Sequence, residues 1–242
     1  MNNFGDLLGP MIVLELLRRR GIDPSVATNR RRLVSVGSVM HIARAGDVVW
    51  GSGVNGKFVD RIPPTELDIR AVRGPRTARI LRSAHLEVPD VYGDPGLLTG
   101  MLWPRDGLAE ERERSQVLVV PNLNDFGRMK KFPSTTGIRL LNPQLPIEQC
   151  LRAIANADLV VGSSLHGIVV AESFGVPARL VKSVSEPGFK YEDYFLGSGR
   201  TSVGAAATVS DAIKLGGHDP LAWDSTPLLE AFPYDLWVEP EA

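Results

Sequence analysis

The stretch that most constrains the fold of this chain begins at residue 158. Its first four residues, Asp-Leu-Val-Val, form a short apolar run that stops at Gly162, a pattern typical of a buried strand. Ser163 or Ser164 then offers an N-cap oxygen to a helix, which Gly175 is suited to end. A second short apolar run predicts the next strand. We therefore expect a strand, a helix and a strand in succession, the repeating unit of a parallel α/β sheet.

This unit places His166 on the first turn of a helix that directly follows a strand. In open α/β sheets, ligands bind beyond the carboxyl ends of the strands, and the free N–H groups of a helix start attract anions there. An imidazole at that position could transfer protons for a phosphate-bearing substrate. The same side chain could also serve only to cap or pack the helix.

Composition restricts the classes of protein to be considered. The 242 residues allow one large domain or two small ones, and a net charge of −1 gives no reason to expect a nucleic-acid partner. No segment approaches the ~20 apolar residues of a membrane span, and no signal peptide is recognisable. Cys150, the single cysteine, lies within an apolar helical pattern, so we expect a core residue in a reducing compartment. A cytoplasmic protein fits these features best.

Strand patterns alternate with helix patterns in two halves of the chain. The first predicted element is an amphipathic helix, and no strand pattern precedes it. We therefore expect either that the first sheet lacks its opening strand or that the true start of the protein lies upstream of residue 1. A charged stretch at 103–114 indicates a linker. We predict an α/β fold of two Rossmann-like parallel-sheet domains, 1–108 and 115–215, that face each other across a cleft, and a tail, 216–242, that packs back. The predicted strands are 33–36, 47–50, 68–72, 116–120, 138–141, 158–161 and 176–181.

Several predicted loops follow strands and could face the cleft. These loops are 51–56, 73–75, 122–127 and 163–166. Glycines in the first loop would let backbone N–H groups approach an anion, although no helix follows them as nicotinamide-cofactor binding requires. Arg73 could grip a carboxylate or phosphate, or could form a surface ion pair. A further loop, predicted for 183–200, has the polar and aromatic side chains of many sugar or phosphate sites. Four scattered histidines and one cysteine predict no metal site.

Six motifs occur in an order that resembles one known family. They are Asn-Phe-Gly-Asp at 3–6, Val-Trp-Gly-Ser-Gly at 49–53, Arg-Ala-Val-Arg-Gly-Pro at 70–75, Gly-Asp-Pro-Gly-Leu-Leu at 93–98, Ser-Leu-His-Gly at 164–167 with Gly-Val-Pro at 175–177, and Phe-Lys-Tyr-Glu-Asp-Tyr at 189–194. Together they resemble the polysaccharide pyruvyltransferases, and in particular the ketal-pyruvyltransferases of bacterial exopolysaccharides. The resemblance implies a GT-B-like fold and no cofactor. It also implies phosphoenolpyruvate as co-substrate, from which pyruvate is placed as a ketal on two hydroxyls of one sugar.

The resemblance also implies roles for particular residues. His166 would be the general acid, Arg73 would clamp the donor, and Lys190 would offset charge on the departing phosphate. Asp6 would orient a sugar hydroxyl or a catalytic cation. The predicted substrate-binding residues are Asn3, Gly51, Ser52, Gly53, Asn122, Asn124, Ser163, Ser164, Gly167, Asp193 and Tyr194. The first domain would bind the acceptor and the second the donor. A lipid-linked oligosaccharide acceptor would bring the protein to the inner face of the membrane.

Two other functions are compatible with the same sequence. A GT-B glycosyltransferase that uses a nucleotide-sugar would need an acidic residue to hold the ribose, and Glu186 and Glu192 are available. A non-catalytic sugar-binding or assembly protein would use His166 and Arg73 as ordinary structural residues.

Overall fold

In the computed structural model of this protein, which describes residues 3–26, 31–61, 63–110, 114–129 and 136–238, the strands form two separate, wholly parallel sheets. The first sheet has the order β1-β2-β3, with β1 at Leu33–Val34, β2 at Val48–Ser52 and β3 at Asp68–Val72. The second has the order β5-β4-β6-β7, with β4 at Ser115–Val119, β5 at Ile138–Leu140, β6 at Ala157–Gly162 and β7 at Ala178–Leu180. The predicted class, α/β with parallel sheets, is confirmed.

Helices follow or flank these strands. The helices in the described residues are α1 (Phe4–Arg19), α2 (Pro75–Ser83), α3 (Thr99–Leu102), α4 (Leu123–Met129), α5 (Ile147–Ala155), α6 (Leu165–Ser173), α7 (Phe189–Gly197), α8 (Val209–Leu215) and α9 (Thr226–Glu230). Local sequence explains several of their starts. Asn3 and Asp6 form a capping box at α1, and Pro75 occupies the first turn of α2. Of the two candidate caps of α6, Ser164 is the one used: its side chain accepts a hydrogen bond from the Gly167 N–H.

Two segments predicted as loops contain helices instead. The 122–127 segment holds α4, because the side chain of Asn122 accepts a hydrogen bond from the Asp125 N–H and so caps the helix start. The 183–200 segment holds α7, which buries Tyr191, Tyr194 and Phe195 on one side. The spacing of three and four residues between these aromatic side chains matches the helical period. The polar residues of the segment obscured this pattern in the sequence.

Contacts between the two halves of the chain fix the sheets relative to each other. Helix α1 belongs to the same buried apolar cluster as the second sheet, and the Phe4 N–H donates to the Pro143 carbonyl at 2.9 Å. Near the other end of the described chain, the Leu228 carbonyl accepts a hydrogen bond of 2.8 Å from Trp50 Nε1 of β2. Asp235 pairs with Arg70 of β3 at 3.0 Å. The predicted domain boundaries stay a prediction. Within the described residues, no helix has both the length and the apolar character that a membrane span requires.

Cys150 is a buried core thiol on α5, as the sequence predicted. Burial raises the pKa of this thiol to about 11, so almost none of it is thiolate at pH 8. We expect iodoacetamide at pH 8 to alkylate the native protein about 10²-fold more slowly than the urea-unfolded protein. Because Cys150 is the single cysteine, mass spectrometry measures the rate directly. Equal rates in the two states would show that the thiol is accessible.

Candidate active site

Predicted site residues from both halves of the chain line one cavity of about 260 Å³. Those on its wall are Asn3, Asp6, Asn122, Asn124, Ser164, His166 and Lys190. The cavity lies where segments emerge from the carboxyl ends of strands in both sheets, since its lining includes residues that follow β1, β2, β4, β5 and β6. This is the position at which open parallel sheets bind ligands.

His166 lies on the first turn of α6 with its ring against the start of α1. A Cβ atom at Gly5 would lie 2.2 Å from His166 Nδ1, so the ring occupies space that a glycine leaves free. The side chain is 15% exposed, and its Nε2 atom is buried without a hydrogen-bond partner among the described residues. Burial lowers the pKa of His166, and the nearby charges of Asp94 and Asp6 partly oppose that effect. Burial therefore favours the uncharged imidazole in the free protein.

Lys190 supplies a cation to the cavity wall from the first turn of α7. Its Nζ donates to a carboxylate oxygen of Glu186 at 3.1 Å, and the same carboxylate pairs with Lys57 at 2.6 Å. Asn124 also donates to Glu186, at 2.8 Å. Burial lowers the pKa of Lys190, although the Glu186 carboxylate opposes the shift. Lysines from opposite halves of the chain thus meet at one acidic residue beside the cavity.

Arg73 lies behind the cavity wall rather than on it, and its side chain is 0% exposed. Its Nε donates to Asp193 at 3.1 Å, one Nη donates to Ser38 Oγ at 2.6 Å, and the other to the Val54 carbonyl at 3.1 Å. Asp193 also accepts from the backbone and hydroxyl of Thr77. The structure thus differs from the predicted placement of Arg73 and Asp193 against substrate. The two form a buried ion pair, and Ser38, which lines the cavity, is the link between this pair and the site.

The glycine loop after β2 serves packing. A Cβ atom at Gly53 would lie 2.3 Å from the Arg73 guanidinium, and one at Gly51 would lie 2.3 Å from Pro95. Ser52 is buried, and its hydroxyl donates to the Gly37 carbonyl at 3.0 Å. The missing side chains of these glycines make room for a guanidinium and a proline ring, and the approach of this loop to an anion stays a prediction.

The other predicted binding residues that do not line this cavity make contacts within the protein, and their binding roles stay predictions. Ser163 is buried and donates to Asp125 at 2.7 Å, and the buried Tyr194 hydroxyl donates to Glu172. A Cβ atom at Gly167 would lie 2.6 Å from Val120, so this glycine lets α6 pack closely against the chain that leaves β4.

Asp125 does not line the cavity but binds Asn122, which does, and the sequence did not reveal this role. Its carboxylate accepts hydrogen bonds of 2.7–2.8 Å from Asn122, Ser163, Ser183 and Ser185. Those four residues follow β4, β6 and β7, so one carboxylate ties together three segments at the carboxyl edge of the second sheet. Although burial alone would raise the pKa of Asp125, these hydrogen bonds hold it below its usual value. The sequence pattern that could have predicted this cluster is an asparagine and an aspartate three residues apart, directly after a strand.

Two further residues were also missed. His41, from the first half of the chain, lines the cavity and stacks on Phe58 with ring centroids 4.6 Å apart. Asp94 is 0% exposed, and one of its carboxylate oxygens lies 3.8 Å from His166 Nε2. It belongs to the Gly-Asp-Pro-Gly motif, which by its composition indicates only a turn.

Comparison with known proteins agrees with the resemblance read from the six motifs. Residues 3–183 match the family model described as polysaccharide pyruvyl transferase. The chain is 32% identical over 172 residues to the succinoglycan biosynthesis protein ExoV of Rhizobium meliloti (strain 1021). The alignment covers 67% of this chain and 52% of that protein, so the chain spans about half the length of this relative. The matched region includes the helix starts that carry Asp6 and His166, and this chain belongs to the polysaccharide pyruvyl transferase family.

Proposed function

We propose that this protein transfers pyruvate from phosphoenolpyruvate to two hydroxyls of a sugar in an exopolysaccharide, where it forms a ketal. The observation that carries the proposal is the meeting of His166, Asp6 and Lys190 at one cavity in a chain of this family. The R. meliloti relative, a succinoglycan biosynthesis protein by name, supports a polysaccharide acceptor. We further propose a GT-B-like arrangement, with acceptor bound by the 1–108 half and donor by the 115–215 half. The acceptor would be a lipid-linked oligosaccharide at the inner membrane face.

The chemistry requires one proton donor and cations for two anionic groups. Protonation of the donor's methylene carbon makes the neighbouring carbon electrophilic, and a sugar oxygen then bonds to it. The bond to the phosphate oxygen breaks, inorganic phosphate leaves, and the second sugar oxygen closes the ring. Of the two hydroxyl protons released, one replaces the proton given to the methylene carbon, and the other leaves with phosphate. His166 is the proposed proton carrier, because it is the imidazole at the anion-attracting start of α6.

Two side chains on the cavity wall beside His166 suit a donor that carries negative charge. Lys190 and the Asn124 amide lie on the same wall and would bind the donor phosphate. Arg73 would act from behind, by holding Ser38 in place. Asp6, which caps its own helix with Asn3, would orient a sugar hydroxyl. In this proposal His166 gains its proton when the donor binds, because nearby negative charge favours the imidazolium.

Donor binding should therefore take up protons. The pKa of His166 lies below its usual value in the free protein, so near pH 7 the ring is mostly neutral. Anion binding raises that pKa and draws in part of a proton, an effect that fades as the pH rises above the raised value. Calorimetric titration with phosphoenolpyruvate in buffers of different ionisation enthalpy measures the uptake. We expect a smaller uptake in His166→Gln, and equal uptake in both proteins would assign the proton elsewhere.

Gly5→Ala should reduce transfer about 10²-fold, because the new methyl group displaces the His166 ring by roughly an ångström or more. Overpacking of this kind costs about 1–3 kcal/mol, and the preference of a helix for alanine over glycine offsets part of that cost, so the variant should remain folded. Gly9→Ala, one turn further along α1, is the matched control, since its Cβ would lie 3.6 Å from Val36, an ordinary contact distance. Equal turnover in the two variants would show that His166 takes no part in the reaction.

Mass spectrometry of the acceptor tests the function itself. Purified protein is incubated with bacterial lipid-linked repeat-unit oligosaccharides and phosphoenolpyruvate, and parallel samples receive UDP-sugars instead. We expect added pyruvate and released inorganic phosphate only with phosphoenolpyruvate. Addition of a sugar from a UDP-sugar would identify a glycosyltransferase. Binding of the oligosaccharide with no change in its mass under either condition would indicate a non-catalytic protein.

A further inference from the structure

Two buried polar atoms face each other beside the cavity. His166 Nε2 and one carboxylate oxygen of Asp94, Oδ2, each lack a hydrogen-bond partner among the described residues, and they lie 3.8 Å apart. Buried polar groups without partners are uncommon and costly, so two that face each other indicate an interaction that forms between them. A small rotation of either side chain to about 3 Å would make a charge-assisted hydrogen bond.

Asp94 is held rigidly in relation to the helix that carries His166. Its second carboxylate oxygen, Oδ1, accepts from the Gly96 N–H at 2.9 Å and so caps the 3₁₀ turn Pro95–Leu98. A Cβ atom at Gly96 would lie 2.9 Å from Val169 of α6, so this turn packs directly on that helix. The carboxylate is therefore fixed by two elements, and only its free oxygen points to the imidazole.

The remaining charges around the ring come from three other elements. Asp6 approaches from α1, Lys190 from α7, and Arg73 from the segment after β3. Among these neighbours, Asp94 has the largest effect in favour of a charged His166, and it opposes the lowering of the pKa by burial. Unlike Asp6 and Lys190, Asp94 does not line the cavity, and it is fully buried.

We propose that Asp94 is a positioning residue that accepts a hydrogen bond from His166 Nε2 and leaves Nδ1 free to carry the proton that the donor receives. A carboxylate in this position selects one imidazole tautomer and orientation, and it stabilises the imidazolium that forms. The proton transfer to the donor rests on the proposed function, whereas the orientation and the stabilised charge do not.

An NMR titration of the His166 ring tests the pairing without any assay of activity. In Asp94→Asn the pKa of His166 should fall by about one unit or more, because a neutral amide replaces a carboxylate within 4 Å. Asparagine is as good an N-cap as aspartate, so the turn at Pro95–Leu98 is preserved. Asp90→Asn is the control: this exposed carboxylate pairs with Arg82 at the surface of the same segment, and its loss should leave His166 unchanged.

The ring nitrogen shifts of the wild-type protein provide a second readout that does not depend on any variant. Above its pKa, His166 should carry its hydrogen on Nε2, and the other tautomer would overturn the proposal. An unchanged His166 pKa in Asp94→Asn would overturn it as well. In turnover, Asp94→Asn should lower kcat and shift the pH profile to lower pH with little change in KM. If the titration behaves as expected but the wild type transfers no pyruvate, the pairing stands and the proposed function fails.

Discussion

Arg73→Ala should lower the free energy of unfolding by about 3–5 kcal/mol, because it leaves Asp193 as an unpaired charge in the protein interior. Both side chains are fully buried, and the pair joins the segment after β3 to α7. A loss of this size is a large fraction of the total stability of a typical domain. Urea unfolding followed by tryptophan fluorescence measures it.

Two further variants distinguish the loss of the buried ion pair from a general effect of charge removal on stability. Arg114→Ala removes an exposed arginine that pairs with Asp158 at 2.8 Å, and it should change stability little. Combining Arg73→Met with Asp193→Leu should recover much of the loss, because apolar side chains replace both buried charges. A loss below about 1 kcal/mol for Arg73→Ala, together with a large drop in affinity for phosphoenolpyruvate, would instead support direct contact between the guanidinium and the donor.

His166→Gln should retain the fold and lose pyruvyl transfer by about 10²–10⁴-fold, the usual contribution of a general acid or base. Glutamine keeps much of the volume and polarity of the ring but cannot carry a proton at neutral pH. The measurement is the rate of inorganic phosphate release from phosphoenolpyruvate in the presence of the acceptor. Thermal unfolding of the variant checks that the fold is intact.

His85→Asn is the matched control for that variant. His85 is exposed on the surface and has a positive φ of 63°, a conformation that asparagine tolerates well. Its replacement should leave turnover unchanged. Near-wild-type turnover in His166→Gln would mean that the proton comes from another group, and His41, on the same cavity wall, would be the next residue to replace.

Local patterns in the sequence were sufficient to predict the strands and the location of His166. A short apolar run, a glycine and a serine cap describe β6 and the start of α6 without reference to the rest of the chain. Because parallel strands bring their carboxyl ends to a common edge, Asn122 and Ser164 were predicted to lie near the same site, and both line the cavity.

The burial of Arg73 could not be predicted in the same way. Its partner Asp193 is 120 residues distant in sequence, and an arginine after a strand has the same local pattern whether it faces solvent, a ligand or a carboxylate. The same limit applies to Asp94. Its motif specifies a turn, whereas its proposed role depends on His166, which is distant in sequence and whose Nε2 lies 3.8 Å from the Asp94 carboxylate in the fold.

A crystal structure of the protein with phosphoenolpyruvate and no acceptor tests most directly whether the cavity beside His166 is the donor site. We predict that the donor's methylene carbon lies within about 3.5 Å of His166 Nδ1, with an anionic group within hydrogen-bond distance of Lys190. A second cavity, of about 470 Å³, is lined in part by Arg179, Arg200 and His218. Donor bound there, with the cavity beside His166 empty, would contradict the proposed site.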